Sequence, residues 1–440
     1  MDRSRVSAIL LLGLPIVGGM TSQTLFNLVD TAMVGQLGTE ALAAVGVGGF
    51  VNFLSVALVM GLSAGVQAMS SRRKGEGRDS ETAVPLNGGL VLALVLAFPA
   101  TAILQAFATN IFALVNEDPA VIALGVPYFE ARLFAMLGVG INFAFRGFWN
   151  GISLSIVYLR TLLIMQISNI VLNYGLIFGA FGLPEMGTTG AGVGSAIATY
   201  IGALTYMWMA WRRARPHGFL AAMPSRDTML TMLRLSLPSS AQQFFFAGGL
   251  TALFWIVGQV GTPEVAAANV LINLTLVIIL PGLALGLAAA SLVGQALGAR
   301  DPVDAHRWGW DVIKVAAVIM AVLGLPMAVV PELILSGFIT DVETRALAIP
   351  PLRLVGIVIA FDSVGMVLQN AMLGAGAVRT VMTVSIVTQW GIFLPVAWLV
   401  GPQLGYGLFG IWVCQSGWRL LHSSALAILW ERRGWTKIKI

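Results

Sequence analysis

The chain has 440 residues, of which 58% are hydrophobic and 10% charged, against roughly 45–50% and about 25% in soluble domains. That much apolar side chain cannot be hidden in a water-soluble core, so the composition excludes a soluble fold and specifies a polytopic helical membrane protein. The formal net charge of +5 comes from Lys and Arg gathered in short connections, which is a signal of membrane orientation and of attraction to anionic lipid headgroups and gives no support to nucleic-acid binding.

Polar punctuation cuts the chain into about twelve apolar runs, near 7–34, 42–70, 83–108, 121–151, 158–181, 188–212, 233–260, 265–296, 311–338, 345–374, 378–400 and 404–430. Each reaches the length of about 20 residues that a spanning helix needs. They are too long and too evenly apolar for the alternating strands of a membrane barrel. The first run follows Met1-Asp2-Arg3-Ser4-Arg5 without a small-residue cleavage site and is read as a retained span. Arg72, Arg73, Lys74, Arg78, Arg160, Arg212, Arg213, Arg215, Arg226, Arg300, Arg307, Arg379, Arg432 and Arg433 fall on alternate connections, while Glu40, Glu117, Asp118, Glu185, Glu264, Glu332, Asp341 and Glu343 fall on the others. Both termini are therefore expected in the cytoplasm.

The chain also repeats itself. Leu14-Pro15 returns as Leu237-Pro238, and Val34-Gly35-Gln36-Leu37-Gly38-Thr39 returns as Val257-Gly258-Gln259-Val260-Gly261-Thr262, both displaced by 223 residues. Arg132 returns as Arg353 and Arg160-Thr161 as Arg379-Thr380 at nearly the same offset. An even number of spans per half makes the repeats parallel, about an axis along the membrane normal, the arrangement of transporters whose halves rock about a central path. The expected fold is an all-α membrane protein of two six-helix lobes, residues 1–212 and 233–440. They are joined by a cytoplasmic linker over 213–232 that holds Pro216, Gly218 and Pro224.

Several chemistries find no footing. Cys414 has no second thiol to pair with, and His217, His306 and His422 lack the short spacings of a zinc site. No glycine-rich phosphate loop ending in Gly-Lys-Ser or Gly-Lys-Thr is present. No cofactor or metal is expected, and the energy for any transport must come from a gradient or a partner.

An ionised side chain at bilayer depth costs about 3 kcal/mol, so each one is a functional candidate. Asp30 stands on the first span with Gln23 and Asn27 on the same helical face. On the fifth span Gln166, Asn169 and Asn173 share a face. They either tie helices together by amide bonds or approach Asp30 to supply carbonyl oxygens to a cation or to orient the carboxyl group. Asp362 lies near the middle of the tenth span with Gln369 seven residues on. No basic residue at its depth is evident, since Arg353 is distant and Arg146 is expected to snorkel to the interface. Pro15 permits a kink in the helix that carries Asp30. Gln243 and Phe246, beside the run Phe244-Phe245-Phe246, are candidates for an adaptable pocket or gate.

Leu28-Val29-Asp30-Thr31-Ala32-Met33-Val34-Gly35-Gln36-Leu37-Gly38, the Pro15 to Asp30 spacing, the half-chain repeat, and Asn169 to Gly179 followed by Gly182-Leu183-Pro184-Glu185-Met186-Gly187 together resemble the multidrug and toxic compound extrusion (MATE) family. The resemblance covers essentially the whole chain. It implies a monomeric, cation-coupled antiporter in a bacterial inner membrane, exporting cationic or aromatic organic compounds against proton or sodium flow. By it, Asp30 matches the family's first-span acid, with sodium at Asp30 if that ion couples. Asn169 and Thr199 match neighbours in its cluster, and Asp362 matches a tenth-span acid used in one branch. Asn173 stands where another branch has an acid, and Phe246 where the sodium-coupled branch has a glutamate. The first-half cluster is therefore the preferred coupling site. A flippase for a lipid-linked precursor, of related two-lobed architecture, is the alternative, and a membrane-embedded enzyme comes third.

Overall fold

The computed structural model describes residues 2–440 of the chain; Met1, the first residue of the N-terminal stretch, lies outside them. Among the described residues there are twelve long helical segments and no strand. They are α1 (Arg3–Gly35), α2 (Thr39–Gly75), α3 (Val84–Ala106), α4 (Pro119–Leu133 continued by Met136–Gly151), α5 (Ser155–Phe178), α6 (Gly187–Arg213), α7 (Arg226–Gly258), α8 (Thr262–Gly298), α9 (Pro302–Val329), α10 (Val342–Gly374), α11 (Val378–Gln403) and α12 (Gly407–Glu431). Their starts are written locally. Asp118 accepts from the Ala120 amide at 2.9 Å, Asp301 from that of Asp304 at 2.8 Å, and Asp341 from that of Thr344 at 2.8 Å, and proline follows the first two at the opening helical position.

Nine of these segments are long and apolar enough to cross a membrane, and α4 joins them as a span bent by 49°. The two others, α6 and α12, are 27 and 25 residues long. They hold the same place in each half. Each buries several polar residues: α6 buries Thr188 and Ser195, and α12 buries Gln415, Ser416 and Ser423. Lipid-grade hydropathy is not needed on a helix face that meets only other helices.

The repeat expected from sequence is present in the backbone. Left-handed residues recur 223 positions apart, as Gly77 (φ 73°) with Arg300 (φ 61°) and Ser153 (φ 64°) with Gly376 (φ 90°). The short helices Ala108–Val115 and Pro331–Ser336 precede α4 and α10 in turn. One difference between the halves is that α11 contains π-helical stretches at Val387–Phe393 and Leu399–Gln403, where its counterpart α5 is regular.

The chain forms two compact units. The N unit is Gly18–Gln243; the C unit is the chain up to Val17 together with Phe244–Ile440. This division differs from lobes cut at a 213–232 linker. The boundaries fall inside α1 and α7, just beyond Pro15 and Pro238, where each helix runs on without a break. The 213–232 segment belongs wholly to the N unit. Asn87 donates to the Gly218 carbonyl at 3.0 Å and accepts from the Leu220 amide at 3.0 Å, which fixes the segment against α3.

Within the C unit, Ile9 and Leu12 of α1 enter a core with Leu285, Leu292, Val312 and Trp430. Arg5 ties the same helix down by pairing with Asp304 and Asp311, both at 2.6 Å, and lies over the Trp308 ring at 3.7 Å. The N unit is centred on Phe145, Phe148 and Trp149 of α4, all fully buried, with Phe145 stacked on Tyr206 of α6 at 5.2 Å.

Candidate functional site

The polar stripe of α1, Gln23, Asn27 and Asp30, lines a cavity of the N unit. The Asn173 amide donates to Asp30 Oδ1 at 3.0 Å. Asn169, with its amide oriented to satisfy both ends, donates to the two Asp30 oxygens at 2.7 and 3.1 Å and accepts from Ser195 Oγ at 3.0 Å. Asn169, Asn173 and Ser195 are buried and Asp30 is half-buried. The approach of α6 to α5 depends on Gly194, where a Cβ would come within 2.2 Å of Asn173 Oδ1. Of the two readings the sequence left open, the amides do meet Asp30, and they present N–H groups to it. A bound sodium would require their oxygens to turn toward it instead.

Asp30 stands where two cavities adjoin. One, of about 390 Å³, is lined by Gln23, Gln166, Thr199, Arg146, Tyr158 and Tyr206 among others. The second, of about 320 Å³, includes Thr31, Tyr128 and Asn173. Asn27, Asp30, Arg132 and Ser195 line both. Thr199 belongs to the cavity wall, but its hydroxyl bonds the Ser195 carbonyl of its own helix at 2.8 Å, and its carbonyl accepts from Asn142 at 3.0 Å.

Arg146 does not snorkel. Its guanidinium lines the larger cavity, donates through Nε to Ser63 Oγ at 3.2 Å and lies over the Phe143 ring at 4.3 Å. Close packing of α4 on α2 turns it inward, since at Gly147 a Cβ would lie 2.4 Å from the Ser63 carbonyl oxygen. Ser195, Arg132, Tyr158 and Tyr206 were not singled out as site residues by sequence. Ser195 carried a signal, since it lies four residues before Thr199 on one face.

In the C unit Asp362 is ion-paired with Arg419 of α12. This is the basic partner that the sequence reading does not find. His422, one turn on, lies 3.3 Å from Gln369 Oε1 and 3.2 Å from Thr388 Oγ1, and Trp418 donates to the same hydroxyl at 3.1 Å. The first π-helical stretch of α11 carries Thr388 and Gln389, both buried. Gln243 is the last residue of the N unit on α7, and Phe246 lies in the C-unit part of that helix. Phe244 and Phe245 meet edge to face, as do Phe245 and Trp390. Pro15 lies in the C-unit part of α1, Asp30 in the N-unit part. No group of three or more His, Cys, Asp and Glu side chains arranged to hold a metal occurs among the described residues.

The sequence profile of the MatE family matches residues 15–175 and again 238–399, two segments that begin 223 residues apart. The chain is 28% identical to the multidrug resistance protein NorM of Burkholderia vietnamiensis over 98% of its own length and 93% of the relative's. It is 30% identical to the probable multidrug resistance protein NorM of Aromatoleum aromaticum, covering 83% and 80%. Among solved structures, MATE in complex with MaL6 superposes with a TM-score of 0.89 at 23% identity, covering 97% of this chain and 95% of that one. An outward-facing multidrug resistance MATE family transporter of the MOP superfamily superposes at 0.89 and 22%, covering 98% and 96%. At these identities the structural likeness establishes the fold.

Proposed function

The chain belongs to the MatE family, and from that premise we propose that it is a monomeric antiporter that exports drug-like organic compounds from a bacterial cytoplasm in exchange for a cation. Its termini face the cytoplasm. The observation that carries this reading is Asp30, a single carboxyl group held by two amides at the junction of two cavities in the N unit. An ionised Asp30 attracts a cationic group, and a protonated one is neutral and releases it. Proton and substrate therefore exclude one another at one atom pair, which is the minimum that exchange requires. The proton is the coupling ion of this proposal, because it discharges Asp30 without any further ligand. Asn27, Asn169, Asn173 and Thr199 shape the site, and Gln23 and Gln166 extend it along the cavity. The relatives are named multidrug resistance proteins, which supports export over a lipid-precursor flippase and over enzymatic chemistry.

Purified protein in vesicles, with pH and sodium gradients imposed separately, tests the proposal. Export driven by the pH gradient is expected. Asp30→Asn should abolish it while the protein stays folded, and Asp362→Asn should weaken it less. Wild-type export by Asp30→Asn, together with loss in Asp362→Asn, would move the coupling site to the C unit.

A further inference from the structure

We propose that the basic end of α6 binds an anionic phospholipid, its phosphate held by Arg212 and Arg215 and one acyl chain laid along an exposed stripe of the same helix. The site is separate from the Asp30 cavities and does not depend on the export reading.

The stripe follows from spacing. Ile197, Ile201, Leu204, Trp208 and Trp211 succeed one another at intervals of four, three, four and three residues, so they share one face of α6. Ile201 is half-buried and the other four are exposed. Ile197 to Trp208 is eleven residues, about 16 Å of helix and so the depth of one leaflet in a hydrocarbon core about 30 Å thick. Tryptophans closing such a run mark the level of the headgroups.

The guanidiniums at that level are held ready and are unpaired. Arg212 lies over the Trp208 ring at 4.5 Å and Arg215 over the Trp211 ring at 3.6 Å. Arg5 covers Trp308 in the same way, but its N–H groups are taken by Asp304 and Asp311. Arg78 is likewise taken by Glu76 and Glu81. Among the described residues Arg212 and Arg215 make no ion pair and donate no hydrogen bond to protein. Asp79, whose carbonyl oxygen lies 3.0 Å from His217 Nδ1, forms no ion pair with either. A ring under each guanidinium fixes its plane and leaves its edge open, and that edge matches the oxygens of a phosphate. A zwitterionic headgroup brings its own cation to two arginines and an anionic one does not, so charge selects the anionic lipid.

The chain after α6 adds an independent feature. Leu220 is exposed at a left-handed φ of 54°, a conformation that leucine rarely adopts. Asn87 holds it there, accepting from the Leu220 amide at 3.0 Å and donating to the Gly218 and Ala222 carbonyls at 3.0 and 3.2 Å. In water a strained, exposed leucine gains nothing. At the boundary between headgroups and acyl chains Leu220 and the exposed Met223 are buried in lipid.

Native mass spectrometry of the purified protein, offered phosphatidylglycerol and phosphatidylcholine of the same chains, tests the proposal. Wild type is expected to bind its first phosphatidylglycerol about 20-fold tighter than phosphatidylcholine, from two arginines. The double variant Arg212→Gln with Arg215→Gln should lose most of that preference, and Trp208→Leu with Trp211→Leu, which keeps the charges and the apolar stripe, should lose part of it. Arg226→Gln, an exposed arginine outside the stripe, should keep it. Inorganic phosphate should not displace the lipid, because the acyl chain shares in binding. Equal binding of the two lipids by wild type, an unchanged preference in the double arginine variant, an equal loss in Arg226→Gln or displacement by phosphate would each overturn the site, and all leave the Asp30 reading standing.

Discussion

Asp30, half-buried, and Asp362, buried, are acids within the helices of two repeated units, and their surroundings are opposite. Asp30 is met by neutral amides and opens on two cavities. Asp362 is met by Arg419, with His422 bonded to both Gln369 and Thr388 alongside. An acid whose counter-charge is built into the protein is already neutralised. Asp30 shares its cavities with Arg132 but is bonded by amides and makes no ion pair with it among the described residues, so it can still take a positive charge from outside, as a proton or as part of a ligand. On the proposed reading, the same residue type in the same fold serves as a structural cross-link in one unit and as the exchange site in the other, according to what the neighbouring helix supplies.

That contrast can be broken at its strongest point by Arg419→Gln. Leaving Asp362 buried and unpaired should lower stability by about 3–5 kcal/mol, and the double variant Asp362→Asn with Arg419→Gln should recover most of the loss. Thermal unfolding in detergent reads both. Recovery of stability without recovery of export would give Asp362 a share in coupling and erase the distinction. A smaller effect is expected at Gly194→Ala, where the new methyl group meets Asn173 Oδ1. Displacing Asn173 removes a bond to a charged group, worth about 1.5–3 kcal/mol. Export should fall about ten-fold with the unfolding temperature changed by only a few degrees, as vesicle assays and thermal scans would show. The least effect belongs to Gln369→Ala, which deletes a partner of His422 at a cost of about 0.5–1.5 kcal/mol. Its export rate should remain that of wild type; a large loss would give the C-unit network a part in transport.

Much of this was legible in the sequence because it repeats at helical or half-chain intervals. The twelve apolar runs, the 223-residue register and the shared faces of Asn27 with Asp30 and of Asn169 with Asn173 are local patterns, and each has its counterpart in the structure. What escaped depends on distances across the fold. Arg419 lies 57 residues from Asp362 on another helix, so no spacing connects them. Arg146 reads as an interfacial arginine because its position near a helix end is visible, whereas the packing at Gly147 that turns it inward is not. The unit boundaries are hidden for a related reason. A change of packing partner inside a continuous helix leaves no break in hydropathy, while the Pro- and Gly-bearing 213–232 segment looks like a linker and is instead bonded to Asn87.

The passage of α1 from one unit to the other bears on the order in which the molecule is made. Synthesis proceeds from the N-terminus at about 5–20 residues per second. The N unit, ending at Gln243, has all its residues while much of the C unit is still unmade. The stretch of α1 up to Val17 is made before the rest of either unit, yet Asp304, which holds Arg5, follows it by 299 residues. That delay is on the order of tens of seconds. A stretch made ahead of both units is thus seated late, and until Asp304 and Asp311 arrive its arginine must find its negative charge among the lipid headgroups.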